Sequence, residues 1–259
     1  SRLFDEMLKL LQTGHALASI AQLKALGLAK GIYPLLDIVV ERADTPFVKA
    51  ALADTDRRVG EGKPVAPSFL LACVLWSDVR EGWAQRIARK AHPFPALQEA
   101  IDEVFDSRIG DVSGRGKLGA DMREIWMMQP RFEKRVGSTP FGLAEQPRFR
   151  AGFDFLRLRA DVQEIDERLA DWWQEFSLAD DATREDLVQQ ARAEQQAQPR
   201  APRVRRVSRS GEGAAAPAAE SAEPGDEALE GAAEAGAAPK KRRRRRRKPS
   251  GDAPPPAEG

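Results

Sequence analysis

A single cysteine, Cys73, excludes a disulfide framework, and its place inside an apolar run suits a reducing compartment. With only two histidines, His15 and His92, no zinc cluster can be assembled. The longest unbroken apolar stretch, residues 69–76, is far shorter than the roughly 20 residues a membrane-spanning helix needs. No run alternates apolar and polar residues in the manner of a strand. Large apolar side chains almost vanish from Pro199 onward, so that segment cannot offset the entropy of ordering, and about 195 residues remain to build a core. Neither an initiator methionine nor a signal peptide is visible, and residues 2–11 already read as the inside of a helix. The chain is therefore expected to start partway through a longer protein.

Charge is abundant and unevenly placed. The formal net charge of +1 hides 14 basic and 9 acidic residues from Pro199 onward, against 27 basic and 31 acidic before it. Nine contiguous cations, Lys240, Lys241, Arg242, Arg243, Arg244, Arg245, Arg246, Arg247 and Lys248, stand in sequence rich in Pro, Ala, Gly and Glu. Such a block stays solvated and attracts polyanions through counterion release, whatever their base sequence. Arginine also stacks on exposed bases, which favours RNA and implies no DNA specificity. A smaller basic island, residues 200–209, precedes a spacer that reads as a flexible linker.

Before the tail, apolar residues recur at helical spacing. Leu3, Phe4, Met7, Leu8 and Leu11 form one face ended by Gly14; Leu17, Ile20 and Leu23 form a second, ended by Gly27. Thr45 before Pro46 reads as an N-cap with proline at the first helical position. Residues 67–77 are apolar on all sides and predict a buried central helix. Helices are expected around residues 83–87, 97–105 and 118–128, with Gln129 and Pro130 kinking or breaking the last. The longest helix is expected over 147–176, and the segment 179–198 is expected to fray. The fold class is all-α, an array of short antiparallel helices followed by a disordered, low-complexity basic tail, divided at 1–60, 61–178 and 179–259.

Few motifs carry chemistry. Gly114, Gly116 and Gly119 spell GxGxxG, but no strand precedes them, so a loop is the expected role. Asp54 and Asp56 form a DxD; on a helix they point about 200° apart and cannot share a metal. His15 and His92 lie beside turn residues with no nucleophile nearby, and Cys73 reads as a small buried hydrophobe. Arg123, Met127, Arg131 and Arg135 step by four and would form a partly basic stripe, with Lys134 beside it, if the helix survives Pro130. Arg148, Arg150, Arg157 and Arg159 follow, with Glu133, Asp154 and Asp161 as acidic neighbours. Either these are ordinary solvated faces or they line a groove that tracks phosphates.

The segments RLFDEMLKLLQTG (2–14), PSFLLACVLW (67–76), REIWMMQPRFEKR (123–135), QPRFRAGFDFLRLRA (146–160) and DWWQEF (171–176), with the arginine block, resemble the carboxy-terminal part of bacterial poly(A) polymerase, a class II nucleotidyltransferase related to CCA-adding enzymes. The resemblance implies neck helices, a helical RNA-binding body and a basic tail, with the catalytic head upstream of Ser1. It implies an intact polynucleotide adenylyltransferase that adds AMP from ATP to RNA 3′ ends in mRNA processing and decay, using ATP and Mg²⁺ whose ligands are not in this chain. The chain alone is expected to be inactive, with no catalytic or metal-binding residue. The expected RNA contacts are Arg123, Arg131, Lys134, Arg135, Arg148 and Arg150 in the body and residues 240–248 in the tail. Ser138, Thr139 and Gly142 stand where relatives often carry additional Lys or Arg, and Gln146 stands where a histidine is expected. The alternative is a non-catalytic RNA-binding adaptor that recruits a helicase or ribonuclease. A cytoplasmic setting is expected, with any peripheral membrane association left to the polybasic segment alone.

Overall fold

A computed structural model describes residues 2–28, 30–109 and 116–197. These fall in the first of two units into which the chain divides, Ser1–Arg203 and Val204–Gly259. The disordered-tail expectation, the basic island at 200–209 and the block at 240–248 lie outside the described residues. Within them the all-α expectation holds: eleven α-helices and no strand.

The first two helices stop ahead of the glycines at 14 and 27 that the sequence indicates. Helix α1 (Arg2–Leu11) buries Phe4, Met7 and Leu11 at three- and four-residue spacing, while Leu3 stays exposed. Helix α2 (Ala16–Ala25) ends where Gly27 takes φ +64° and Leu28 N–H reaches back to Leu23 O at 3.1 Å. Helices α3 (Pro34–Arg42) and α4 (Pro46–Gly60) each begin on proline, whose missing N–H costs nothing in a first turn. Thr45 occupies the N-cap position of α4, but its hydroxyl donates back to Arg42 O at 2.6 Å and caps nothing.

Helix α5 (Pro67–Ala88) organises the rest. Ser68 through Trp76 are all buried, so this half is covered on every side. It packs against α1, α3, α4 and helices α6 (Pro93–Val104), α7 (Lys117–Phe132) and α9 (Phe149–Asp161). The expected separate helix at 83–87 is the exposed second half of α5. There Gly82 lets Ala100 of α6 approach closely, since a Cβ on it would lie 3.4 Å from the Ala100 methyl. Helix α6 continues into a π-helical turn, Phe105–Ile109, setting the Phe105 ring 5.7 Å from Trp126 of α7.

Helix α7 passes through Pro130 and stops two residues later. The indole N–H of Trp173 donates to Phe132 O at 2.8 Å, satisfying one of the carbonyls left open at that helix end. Helix α8 (Thr139–Ala144) links α7 to α9. Where one long helix over 147–176 is expected, the structure has two, α9 and α10 (Glu167–Leu178). Gln163 takes φ +61°, and Glu164 N–H bonds Arg159 O at 2.8 Å, closing the end of α9. Asp166 then caps α10, its carboxylate accepting from Arg168 N–H at 3.0 Å. The stop is a left-handed residue that is not glycine, so composition gives no warning of it. Helix α11 (Asp181–Ala197) is continuous where fraying is expected, because Leu187, Val188 and Ala191 are buried.

Two clusters of buried apolar side chains result. One gathers α1 to α7 around α5; the other gathers Met128, Phe132, Leu143, Phe149, Phe153, Leu156, Trp173, Phe176 and Leu187. Helix α9 serves both, giving Phe155 and Leu158 to the first and Phe153 and Leu156 to the second. Gly152 permits its approach to α7, since a Cβ there would lie 2.6 Å from Met128 Sδ.

The turn at Gln163 places Glu164 at the junction. Its carboxylate accepts from Trp76 Nε1 at 3.0 Å and pairs with Arg80 at 3.0 Å and Arg159 at 2.9 Å. Glu164 and Arg159 are only 12% and 11% exposed. The Arg159 guanidinium also lies over the Trp76 ring and donates to Gln129 Oε1 at 3.2 Å. Glu164→Ala leaves a buried guanidinium and an indole N–H without their acceptor and is expected to cost about 3 kcal/mol in urea unfolding, with Glu164→Gln costing less. Equal stability of Glu164→Ala and wild type would remove the network from its structural role.

Candidate nucleic-acid interface

The motifs that suggest catalysis are used structurally. Gly116 and Gly119 sit at the start of α7, where Gly116 has φ +110°, and no strand occurs among the described residues; Gly114 lies outside them. Asp54 faces Arg57 at 2.6 Å and Arg58 at 3.8 Å along α4, whereas Asp56 accepts from Ala16 N–H at 2.8 Å and Leu17 N–H at 3.2 Å, capping α2. The two carboxylates turn apart, as the helical period requires, and do not fit a shared magnesium ion. Among the described residues no group of three or more His, Cys, Asp and Glu side chains is arranged to hold a metal. Burial, and after it the charge of Asp54, pushes the Cys73 thiol well above its ordinary range, which opposes thiolate chemistry. His15 and His92 occupy the N-cap positions of α2 and α6 without a side-chain capping bond.

The stripe on α7 is divided by its surroundings. Arg123 pairs with Asp102 of α6, and its guanidinium lies 5.3 Å from the Phe105 ring centre. Arg131 is eight residues on, about 12 Å along the axis. Arg135 falls beyond the helix end, over Trp172 at 5.9 Å and 3.5 Å from Glu194 of α11. Arg131 and Lys134 have no ion pair among the described residues, and Lys134 is exposed. Their position at the carbonyl end of α7 suits cations electrostatically and leaves them open to a phosphate.

The arginines around α9 are mostly engaged. Arg148 meets Asp121 at 2.6 Å, and Arg150, 73% exposed, meets Asp154 at 3.1 Å. Arg157 binds Asp171 at 2.8 Å and Gln174 at 2.6 Å. Arg159 belongs to the buried Glu164 network. Asp154 also receives Arg58 of α4 at 3.0 Å, a pairing across 96 residues of sequence. A groove of about 260 Å³ results between α4, α9 and α10, lined by Arg57, Arg58, Arg150 and Arg157 together with Asp54, Asp154 and Asp161. Sequence spacing brings Arg150 and Arg157 to this groove. It could not bring Arg57 and Arg58, because no local signal encodes a contact between α4 and α9.

Fully exposed ion pairs contribute about 0–1 kcal/mol each, but Asp121 and Asp154 are only 15% and 17% exposed, so a phosphate that takes their arginines must also compensate a mostly covered carboxylate. The arrangement can hold a polyanion along its surface.

Residues 89–209 match a family described as "Polymerase A arginine-rich C-terminus", and residues 1–39 match one described as "Probable RNA and SrmB- binding site of polymerase A". Poly(A) polymerase I of Haemophilus influenzae is 34% identical over 198 residues, covering 73% of this chain and 43% of that protein. The poly(A) polymerases I of Salmonella typhi and Escherichia coli O157:H7 are also 34% identical, over 187 and 189 residues, with 69% of this chain and 40% of each relative covered. The chain thus spans about two fifths of the length of the curated relatives it matches.

Replacing Arg131 and Lys134 together with alanine is expected to reduce the salt slope of oligonucleotide binding by about 1.4, at roughly 0.7 per phosphate contact on a single strand. Arg123→Ala is expected to change it less, because Asp102 and Phe105 already hold that side chain. Equal slopes for all three proteins in fluorescence anisotropy would exclude this end of α7 from the interface.

Proposed function

Because the chain belongs to the bacterial poly(A) polymerase family, through that family's RNA-binding and arginine-rich carboxy-terminal regions, we propose that it holds RNA for template-independent addition of AMP from ATP to the RNA 3′ end. The observation that carries this is the pair of family matches, at 1–39 and at 89–209. Neck helices over 1–60, a body over 61–178 and a basic segment from 179 are the proposed division. Phosphates are held by Arg131 and Lys134 directly, and by Arg123, Arg135, Arg148 and Arg150 through exchange of their carboxylate partners. The cations of 240–248 act as a sequence-independent tether that raises the local concentration of RNA.

The adenylyl transfer itself, with its ATP and magnesium ligands, is assigned to the part of the relatives' length that this chain does not span. Its own contribution is to bind and orient the RNA. A helicase partner is proposed on the segment 1–39, where the family description names SrmB beside RNA. Leu26, Leu28 and Ile32 of that segment are more than half exposed and suit a protein contact. Among the described residues no helix is long and apolar enough to cross a membrane.

Replacing residues 242–247 with alanine is expected to weaken binding evenly across RNA sequences and to flatten its salt dependence, by filter retention at two salt concentrations. Unchanged binding would remove the tail from the mechanism. Incubation of this chain with ATP, magnesium and oligo(A) is expected to give no extension, and any primer lengthening would place chemistry within it.

A further inference from the structure

The turn between α5 and α6 carries exposed cations and apolar side chains that no role above employs. Between Glu81 and Glu99 the sequence has no acidic residue, yet it holds Arg86, Arg89, Lys90 and His92. Arg86 is engaged with Glu99 at 3.3 Å and Glu103 at 2.7 Å. Arg89 and Lys90 are exposed and make no ion pair among the described residues. Beside them Ile87 and Phe94 are 42% and 45% exposed. Trp83 braces the turn by donating its indole N–H to Pro93 O at 2.8 Å. Pro93 and Pro95 flank Phe94 and fix the backbone on either side of it, so the ring is presented with little freedom left to lose. The first turn of α6 holds no acidic side chain to repel an anion.

The backbone supplies an independent observation. Lys90 takes φ +66°, the left-handed conformation that normally selects glycine at a helix end, and the turn closes through Lys90 N–H to Ile87 O at 2.8 Å and Ala91 N–H to Arg86 O at 3.0 Å. Glycine would close the same turn without strain. Cations at the end of α5 also complement its carbonyls, but Arg86 and Arg89 already provide that. Lys90 is thus presented from a closed turn with no carboxylate partner among the described residues.

We propose that this turn is a second contact for single-stranded RNA, one that rests on RNA binding as proposed above. Phe94 offers a ring face to one base, and Arg89 and Lys90 take the flanking phosphates. Base stacking needs only one open face of a ring and tolerates any base. An anionic bilayer fits less well, because more than half of both Ile87 and Phe94 is already covered by the protein, leaving little apolar surface to insert.

The test is fluorescence anisotropy with a labelled oligo(A) 20-mer, using the full chain and a version with residues 242–247 replaced by alanine, each carrying Phe94→Ala or Lys90→Gly. In the tail-neutralised chain Phe94→Ala is expected to weaken binding about five-fold or more. Lys90→Gly is expected to leave the Tm equal or raise it while making the salt slope shallower by about 0.7, a combination that a purely structural role would not give. Failure of the wild-type chain to bind oligo(A) would defeat RNA binding altogether. Wild-type binding with no loss in either variant, or no binding once the tail is neutralised, would overturn the turn contact alone. Loss of binding to phosphatidylglycerol vesicles with RNA binding unchanged would overturn it in favour of a membrane contact.

Discussion

The structure depends on the full burial of one half of a helix. Residues 68–76 of α5 have no face left for water, so the surrounding helices can reach them only by surrounding them. Helices α1, α3 and α4 cover them from one end of the sequence, and α6, α7 and α9 from the other. Among the described residues, every basic side chain discussed above stands on one of these helices or on the segments that join them. The second half of α5 is more exposed, held to α3 by Arg42–Asp78, to Glu164 by Arg80 and to α6 by the close approach at Gly82.

Charge follows a second constraint. The described part of the chain has more acids than bases, and most of its arginines lie against carboxylates: Arg123 with Asp102, Arg148 with Asp121, Arg150 with Asp154, Arg157 with Asp171. Such a surface does not attract RNA by net charge. On the proposed reading, an exposed arginine such as Arg150 would turn to a phosphate while Arg58 continues to pair with Asp154. The polycationic segment at 240–248 suits this, because on the proposed reading it would concentrate RNA without choosing where the strand lies. Arg159 is different: it is buried with Glu164 and Trp76 and committed to the fold.

Much of the architecture was legible because it is local. The spacing of Phe4, Met7 and Leu11, the glycines at 14 and 27, and Pro46 at the start of α4 each announce a helix or its end through the chemistry of a few neighbouring residues, whereas α3 was not read from the sequence. What escaped is non-local or unusual in residue type. Gln163 ends α9 in a conformation that glycine normally supplies, so two helices read as one. Thr45 stands in a capping position but turns its hydroxyl to the preceding helix. Segment 179–198 looks too polar to hold, yet Leu187 and Val188 find the second cluster. Of the candidate contacts, Arg123 to Arg150 were visible as types of residue; their partners were not, since Asp102, Asp121 and Glu194 come from other elements. Arg58 reaches the groove only through Asp154, 96 residues away.

The most direct measurement is a titration of this chain with fluorescent single-stranded RNA over a range of salt concentrations. Cationic capture of a polyanion requires a saturable complex in dilute buffer whose log Kd rises linearly with log salt, at about 0.7 per phosphate neutralised. No complex in dilute buffer, or an affinity indifferent to salt, would contradict it.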